Sequence, residues 1–134
     1  PDALLLRAAL LTNNGRLDES EEVCSRLLAL DELNAGAHYL MALCREHAGD
    51  SAGAIEHDQA AIYLDAGFAM PHLHLGLMAK RSGDAATAQR DLGQALILLA
   101  CEDASRLLLF GGGFSREALR QLCRTELRAA GGEG

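Results

Sequence analysis

Two histidines, His72 and His74, sit in the apolar stretch MPHLHLGLMAKRSGD that runs from Met70 to Asp84. Imidazoles this close raise metal binding or acid–base work as the first chemistry to test. On a helix, residues two apart point about 200° away from each other, whereas a chelating pair needs the one-turn i, i+4 spacing. His72 and His74 therefore do not share an ion, and His72 is read as a packing residue with one ring nitrogen hydrogen-bonded. A site made from His38, His72 and a cysteine is the one metal arrangement that remains, and no metal is expected.

Other candidates for chemistry weaken in the same way. Glu21 and Glu22 are adjacent, so their carboxylates leave a helix on different sides and read as a solvated surface rather than an acid–base pair. Gly111, Gly112 and Gly113 precede a helix, where backbone N–H groups bind anions. No Gly-Lys-Ser/Thr follows them, and the third glycine of a dinucleotide fingerprint would fall at Arg116. A flexible turn between Phe110 and Phe114, both anchored in the core, is the expectation. The cysteines at 24, 44, 101 and 123 form no C-x-x-C pair and no tight disulfide framework, which points to a reduced, cytoplasmic setting. Cys24, Cys44 and Cys123 fall on apolar helical faces and serve there as small hydrophobes. No catalytic residue is assigned.

Composition agrees with a folded domain. The chain has 134 residues, 49% of them hydrophobic, enough for one continuous core. A formal charge of -7 argues against nucleic acid, whose affinity rests on Lys and Arg displacing counterions. No apolar run approaches the roughly 18 to 20 residues a membrane span needs, so membrane insertion is not expected. The chain opens on Pro1 rather than methionine and is expected to be a processed product or a piece of a longer polypeptide.

What positions all these residues is a repeat. Gly15, Gly49 and Gly83 are spaced by 34 residues, a period that marks helical arrays. In the registers 1–34, 35–68 and 69–102, Leu30, Leu64 and Leu98 coincide, as do Leu28, Ile62 and Leu96, and Ser20, Ala54 and Ala88. Asp50 matches Asp84, Asp31 matches Asp65, and His38 matches His72. Each unit splits at its glycine into two halves of helical length and spacing, which predicts a helical hairpin. The glycines end the first helix in the left-handed conformation, and Asp50 and Asp84 cap the second. Small residues at Ala8, Ala42 and Gly76, with alanines at 54, 61, 88 and 95, let paired helices approach. Pro71 falls in a first turn, where its missing N–H costs nothing.

This pattern resembles the tetratricopeptide repeat (TPR), whose signature wants a bulky fourth residue, small residues at the eighth and twentieth positions and an alanine near the twenty-seventh, and it departs from that signature in having Leu4, His38 and His72 at the fourth position. The usual proline at the thirty-second position is Glu32 in the first unit and Ala66 in the second. The resemblance covers residues 1 to about 102 and implies an all-α superhelix of three hairpins (1–34, 35–68, 69–102). It also implies a concave side lined by first helices. In that register the side presents Leu5, Ala9 and Asn13, then Tyr39, Leu43, Glu46 and His47, then Met70, Leu73, Leu77, Lys80 and Arg81. These are the candidate partner-binding residues. Lys80, Arg81 and Asn13 are too few for the carboxylate clamp of chaperone-binding TPR domains, and an amphipathic helix fits better.

Residues 103–134 are read as linker, glycine-rich turn and capping helix. A solenoid needs its last apolar face covered, and a helix from about Ser115 to Ala130 would do this with Leu119, Leu122, Cys123 and Leu127, Ser115 being its N-cap. The closing Gly-Gly-Glu-Gly is expected to fray. The segments AIYLDAGFAMPHLHLGLMAKRSGD and LLLFGGGFSREALRQLCRTEL together resemble the C-terminal TPR region of CheR-type chemoreceptor methyltransferases, best over residues 55 to 130. The resemblance implies a module that regulates or positions an S-adenosylmethionine-dependent enzyme esterifying receptor glutamates, with the cofactor held by a catalytic domain absent from this chain. The implied partner is a chemoreceptor, a signalling protein or that catalytic domain. A self-associating scaffold unconnected with methylation is the alternative.

Overall fold

The computed structural model describes residues 2–131, and among these all regular structure is helical. The helices are α1 (Asp2–Asn13), α2 (Leu17–Leu30), α3 (Ala35–His47), α4 (Ser51–Leu64), α5 (Ala69–Arg81), α6 (Ala85–Leu99), α7 (Ala104–Phe110) and α8 (Arg116–Ala129). The chain divides between Ala66 and Gly67 into two compact units. In the first, α1 pairs with α2 and α3 with α4, and α3 lies against both α1 and α2. In the second, α5 pairs with α6, and α8 packs on α6. Pro1 and residues 132–134, most of the tail expected to fray, lie outside the described residues.

The hairpin turns repeat nearly atom for atom. Gly15, Gly49 and Gly83 have φ of 76°, 86° and 85°, a region that an L side chain rarely adopts. After each, the next residue's N–H closes the 6→1 bond of a Schellman turn: Arg16 donates to the Leu11 carbonyl at 2.9 Å, Asp50 to that of Arg45 at 2.8 Å and Asp84 to that of Ala79 at 2.9 Å. Asp50 then accepts from the Gly53 N–H at 2.9 Å and Asp84 from Thr87 at 3.2 Å. Arg16, at the same place in the first hairpin, makes no side-chain cap.

Close helix contact rests on small residues. Ala8, Ala42, Ala54, Ala61, Ala88 and Ala95 are all fully buried. By contrast, Leu30 is exposed and Leu28, Ile62, Leu64, Leu96 and Leu98 are only half-buried, so the larger coincident residues of the repeat are not its closest packing. Ser20 takes the place of alanine in the first hairpin, and its hydroxyl is satisfied by the Ala8 carbonyl at 3.1 Å and by Thr12 Oγ1 at 2.7 Å.

The C-terminal region departs from the sequence reading in two respects. Residues 104–110, read as linker, form a helix, N-capped by Asp103 through the Ser105 N–H at 2.8 Å and anchored by buried Leu107 and Phe110. Phe114, expected in the core, is 63% exposed. The successive positive φ values of Gly112 and Gly113, 66° and 88°, turn the chain so that it enters α8 with Phe114 on the outside. The capping helix itself matches the expectation: Ser115 accepts from the Ala118 N–H at 3.1 Å, and Leu119, Cys123 and Leu127 are buried, with Leu122 half-buried.

Candidate protein-interaction face

Three side-chain systems hold the second unit's helices in place. Phe68 precedes α5 and cannot cap it. The Glu102 carboxylate, brought in from beyond α6, accepts the Ala69 N–H at 2.8 Å instead, supplying the negative charge that a helix N-terminus favours. Arg106 pairs with Glu102 at 3.3 Å and stacks 4.2 Å above the Phe68 ring, which in turn lies 5.1 Å from Phe110. Arg116 donates to the Leu99 carbonyl at 2.5 Å, Gln89 to the Ala130 carbonyl at 2.7 Å, and Lys80 to Glu126.

The candidate binding residues separate by burial. Ala9, Tyr39, Met70 and Leu73 are all under a tenth exposed and are core residues in the free chain. For Tyr39, burial raises the hydroxyl pKa well above its ordinary value, and the nearby Asp58 and Glu46 charges add to this. In the first unit the accessible members are Leu5 and Asn13 on α1, and Leu43, Glu46 and His47 on α3. In the second they are Leu77, Lys80 and Arg81, all on α5. Each set places an apolar side chain beside charged or polar ones, a composition suited to an amphipathic segment. The Lys80 ammonium is already paired with Glu126. A shallow apolar groove with exposed Leu108 and Phe114 at its rim lies between α7 and the start of α8. The sequence reading missed it because it placed Phe114 inside.

His38, His57 and His72 are each engaged by a neighbouring group. His38 Nε2 lies 2.8 Å from the Glu32 carbonyl and its Nδ1 lies 3.0 Å from His57 Nδ1. A carbonyl only accepts, so Nε2 of neutral His38 carries the hydrogen and Nδ1 accepts from His57. Burial and the His38 ring lower the His57 pKa. His72 Nδ1 meets Asp91 at 3.1 Å. His57 and Asp91 both fall at the twenty-third repeat position, occupied in the first hairpin by Val23, opposite the fourth position of Leu4, His38 and His72. The contact between these two positions thus carries His–His chemistry in the second hairpin and His–carboxylate chemistry in the third. The period itself held that signal, since His57 and Asp91 are one repeat apart.

Among the described residues no group of three or more His, Cys, Asp or Glu side chains is arranged to hold a metal ion. Burial pushes the Cys24 thiol up to about 12 and that of Cys123 up to about 11, and raises Cys44 as well, so all three are held as inert thiols. Among the same residues no helix is long and apolar enough to cross a membrane.

These features define a TPR-like helical-repeat fold, and comparison with solved structures agrees. The type III secretion translocator chaperone SycD of Yersinia enterocolitica matches with a TM-score of 0.78 at 18% identity, over 97% of this chain and 82% of its own. PcrH of Pseudomonas aeruginosa, in a complex with the chaperone binding region of PopD, matches with a TM-score of 0.79 at 19% identity, over 97% and 90%. An O-GlcNAc transferase of Thermobaculum terrenum matches with a TM-score of 0.70 at 25% identity, over 96% of this chain and 26% of its own. No protein-family model and no curated protein matches the sequence.

Proposed function

We propose that this chain is a protein-binding module that takes an amphipathic helix or peptide on the open parts of its first helices. The observation that carries this reading is that Leu43 stays half-open one turn from Glu46 and His47 in the first unit, and Leu77 one turn from Lys80 and Arg81 in the second, while each hairpin closes its own core with small residues. Partly open apolar side chains framed by charge are the makings of an interface. Structures of similar fold lend support: PcrH is described with the chaperone binding region of PopD and SycD with a peptide of the translocator YopD.

The partner suggested by the sequence resemblance is the cytoplasmic region of a chemoreceptor, or the catalytic domain of a CheR-type methyltransferase that this module would position or regulate. Catalysis and S-adenosylmethionine binding belong, on this reading, to that domain, and the module works in the cytoplasm without a cofactor of its own. The test is affinity capture with each of these two baits, using wild type and the single variants Leu43→Asp and Leu77→Asp. A charge placed in a contributing contact weakens capture by ~10-fold or more. Unchanged capture by both variants rejects the face, and failure of both baits rejects the methyltransferase assignment.

A further inference from the structure

The charge around the first unit's face narrows what that face can take. Half-open Leu43 has Glu46 three positions on and exposed His47, the last residue of α3, four positions on. Beside His47 opens a hollow of about 190 Å³, walled on its other side by the Gly15–Arg16 turn and by Asp18 and Glu19 in the first turn of α2. Those two acids belong to this hairpin alone, since the same places hold Ala52 and Gly53 in the second and Ala86 and Thr87 in the third.

Each nearby cation is answered or distant. Arg16, in the wall of the hollow, pairs with Glu19 at 2.6 Å. Arg45 on α3 is held by Glu21 and Asp50, each at 3.5 Å. Arg7 on α1 and Arg26 on α2 stand eight residues from Gly15 and Asp18, about 12 Å along their helices and beyond the range of charges in physiological salt. Asp18 makes no hydrogen bond or ion pair with a described residue. α1 and α3 also end beside the hollow, and the negative ends of their dipoles favour a cation there. The positive start of α2 is offset by Asp18 and Glu19 themselves.

Resting on the reading that this face takes an amphipathic helix, we propose that the helix for the first unit is a basic one, carried by another protein. An apolar side chain seats on Leu43, and a Lys or Arg three or four residues away reaches past Glu46 into the hollow between Asp18 and His47. An acidic helix would meet like charge at the same place.

The probes are two labelled amphipathic model helices with one leucine stripe, flanked by Lys in the first and by Glu in the second, titrated with the chain by fluorescence anisotropy. The Lys helix should bind saturably and ~10-fold or more tighter than the Glu helix. Asp18→Asn/Glu19→Gln and His47→Lys change the hollow from α2 and from α3, and each should weaken the Lys helix ~5-fold or more, the scale of two lost exposed ion pairs. Glu32→Gln/Glu56→Gln, an equal charge change at exposed sites outside the hollow, should leave its affinity within ~2-fold. All these positions are exposed, so the variants keep their circular dichroism. Equal binding of the two helices, or no response to both changes in the hollow, overturns the charge proposal while the Leu43 face stands. Lys-helix binding that Leu43→Ser leaves unchanged, or no binding of either helix, overturns the face itself and this proposal with it.

Discussion

The eighth repeat position offers a sharp test of how the hairpins pack. It holds Ala8, Ala42 and Gly76, and the facing twenty-fourth position holds Cys24, Asp58 and Leu92. The hairpin with the bulkiest facing residue is the one with no Cβ. A Cβ built on Gly76 would lie 2.7 Å from Leu92 Cγ, 2.8 Å from Cδ2 and 3.1 Å from the Leu92 backbone nitrogen. Leu92 is fully buried, and a rotamer change does not move its backbone. Overpacking of this kind costs roughly 1–3 kcal/mol, and the better helix propensity of alanine returns roughly 0.8–1 kcal/mol. Gly76→Ala should therefore destabilise the protein by about 1 kcal/mol, a fall in Tm of about 4 °C for a chain of this size. Gly93, inside α6, has nothing within 4 Å of its Cβ position, so Gly93→Ala should raise stability by about 0.5–1 kcal/mol. Urea unfolding followed by circular dichroism measures both. Adding Leu92→Cys, the residue of the first hairpin, should reduce the Gly76→Ala penalty by about 1 kcal/mol in a double-mutant cycle. The packing argument fails if Gly76→Ala raises the unfolding midpoint as much as Gly93→Ala, or if the cycle shows no coupling.

Three further outcomes follow. His57 has a lowered pKa in the folded chain, so the unfolded chain takes up the proton first; stability should fall as pH drops below the ordinary histidine value of 6.5, and His38→Leu/His57→Val, copying Leu4 and Val23, should flatten that limb of a Tm–pH curve. Iodoacetamide at pH 8 should label Cys101 alone in the folded protein and all four cysteines after unfolding, read by intact mass, because Cys101 is exposed and the other three are buried. Arg16→Asp should supply the cap that Asp50 supplies in the next hairpin and raise stability by about 0.5–1 kcal/mol in urea unfolding, the exposed Arg16–Glu19 pair being worth less than that.

Much of the fold could be read from spacing. The three glycines, the aspartate caps at 50 and 84, the small residues at 8, 42 and 76 and the Ser115 cap all sit where the sequence placed them. The candidate site was less legible. Helical periodicity assigned Tyr39, Met70, Leu73 and Ala9 to the same row as Leu5, Leu43 and Leu77 but did not say which of these the folded chain would cover. α7 escaped notice because seven residues are too few to show a period, and Phe114 was misplaced because two glycines in succession leave the exit direction open.

The hairpin turns and the caps at Asp50, Asp84 and Ser115 were decided by the sequence alone, because a Schellman turn or an N-cap joins groups within about six residues of each other and needs no distant partner. Tertiary structure alone decided that Glu102 caps α5, that Lys80 meets Glu126, and that Leu43 and Leu77 stay half-open while Tyr39 and Leu73 close. Each of these depends on surfaces far apart in the chain coming to lie together, and burial belongs to the neighbours a residue acquires rather than to the residue's own type.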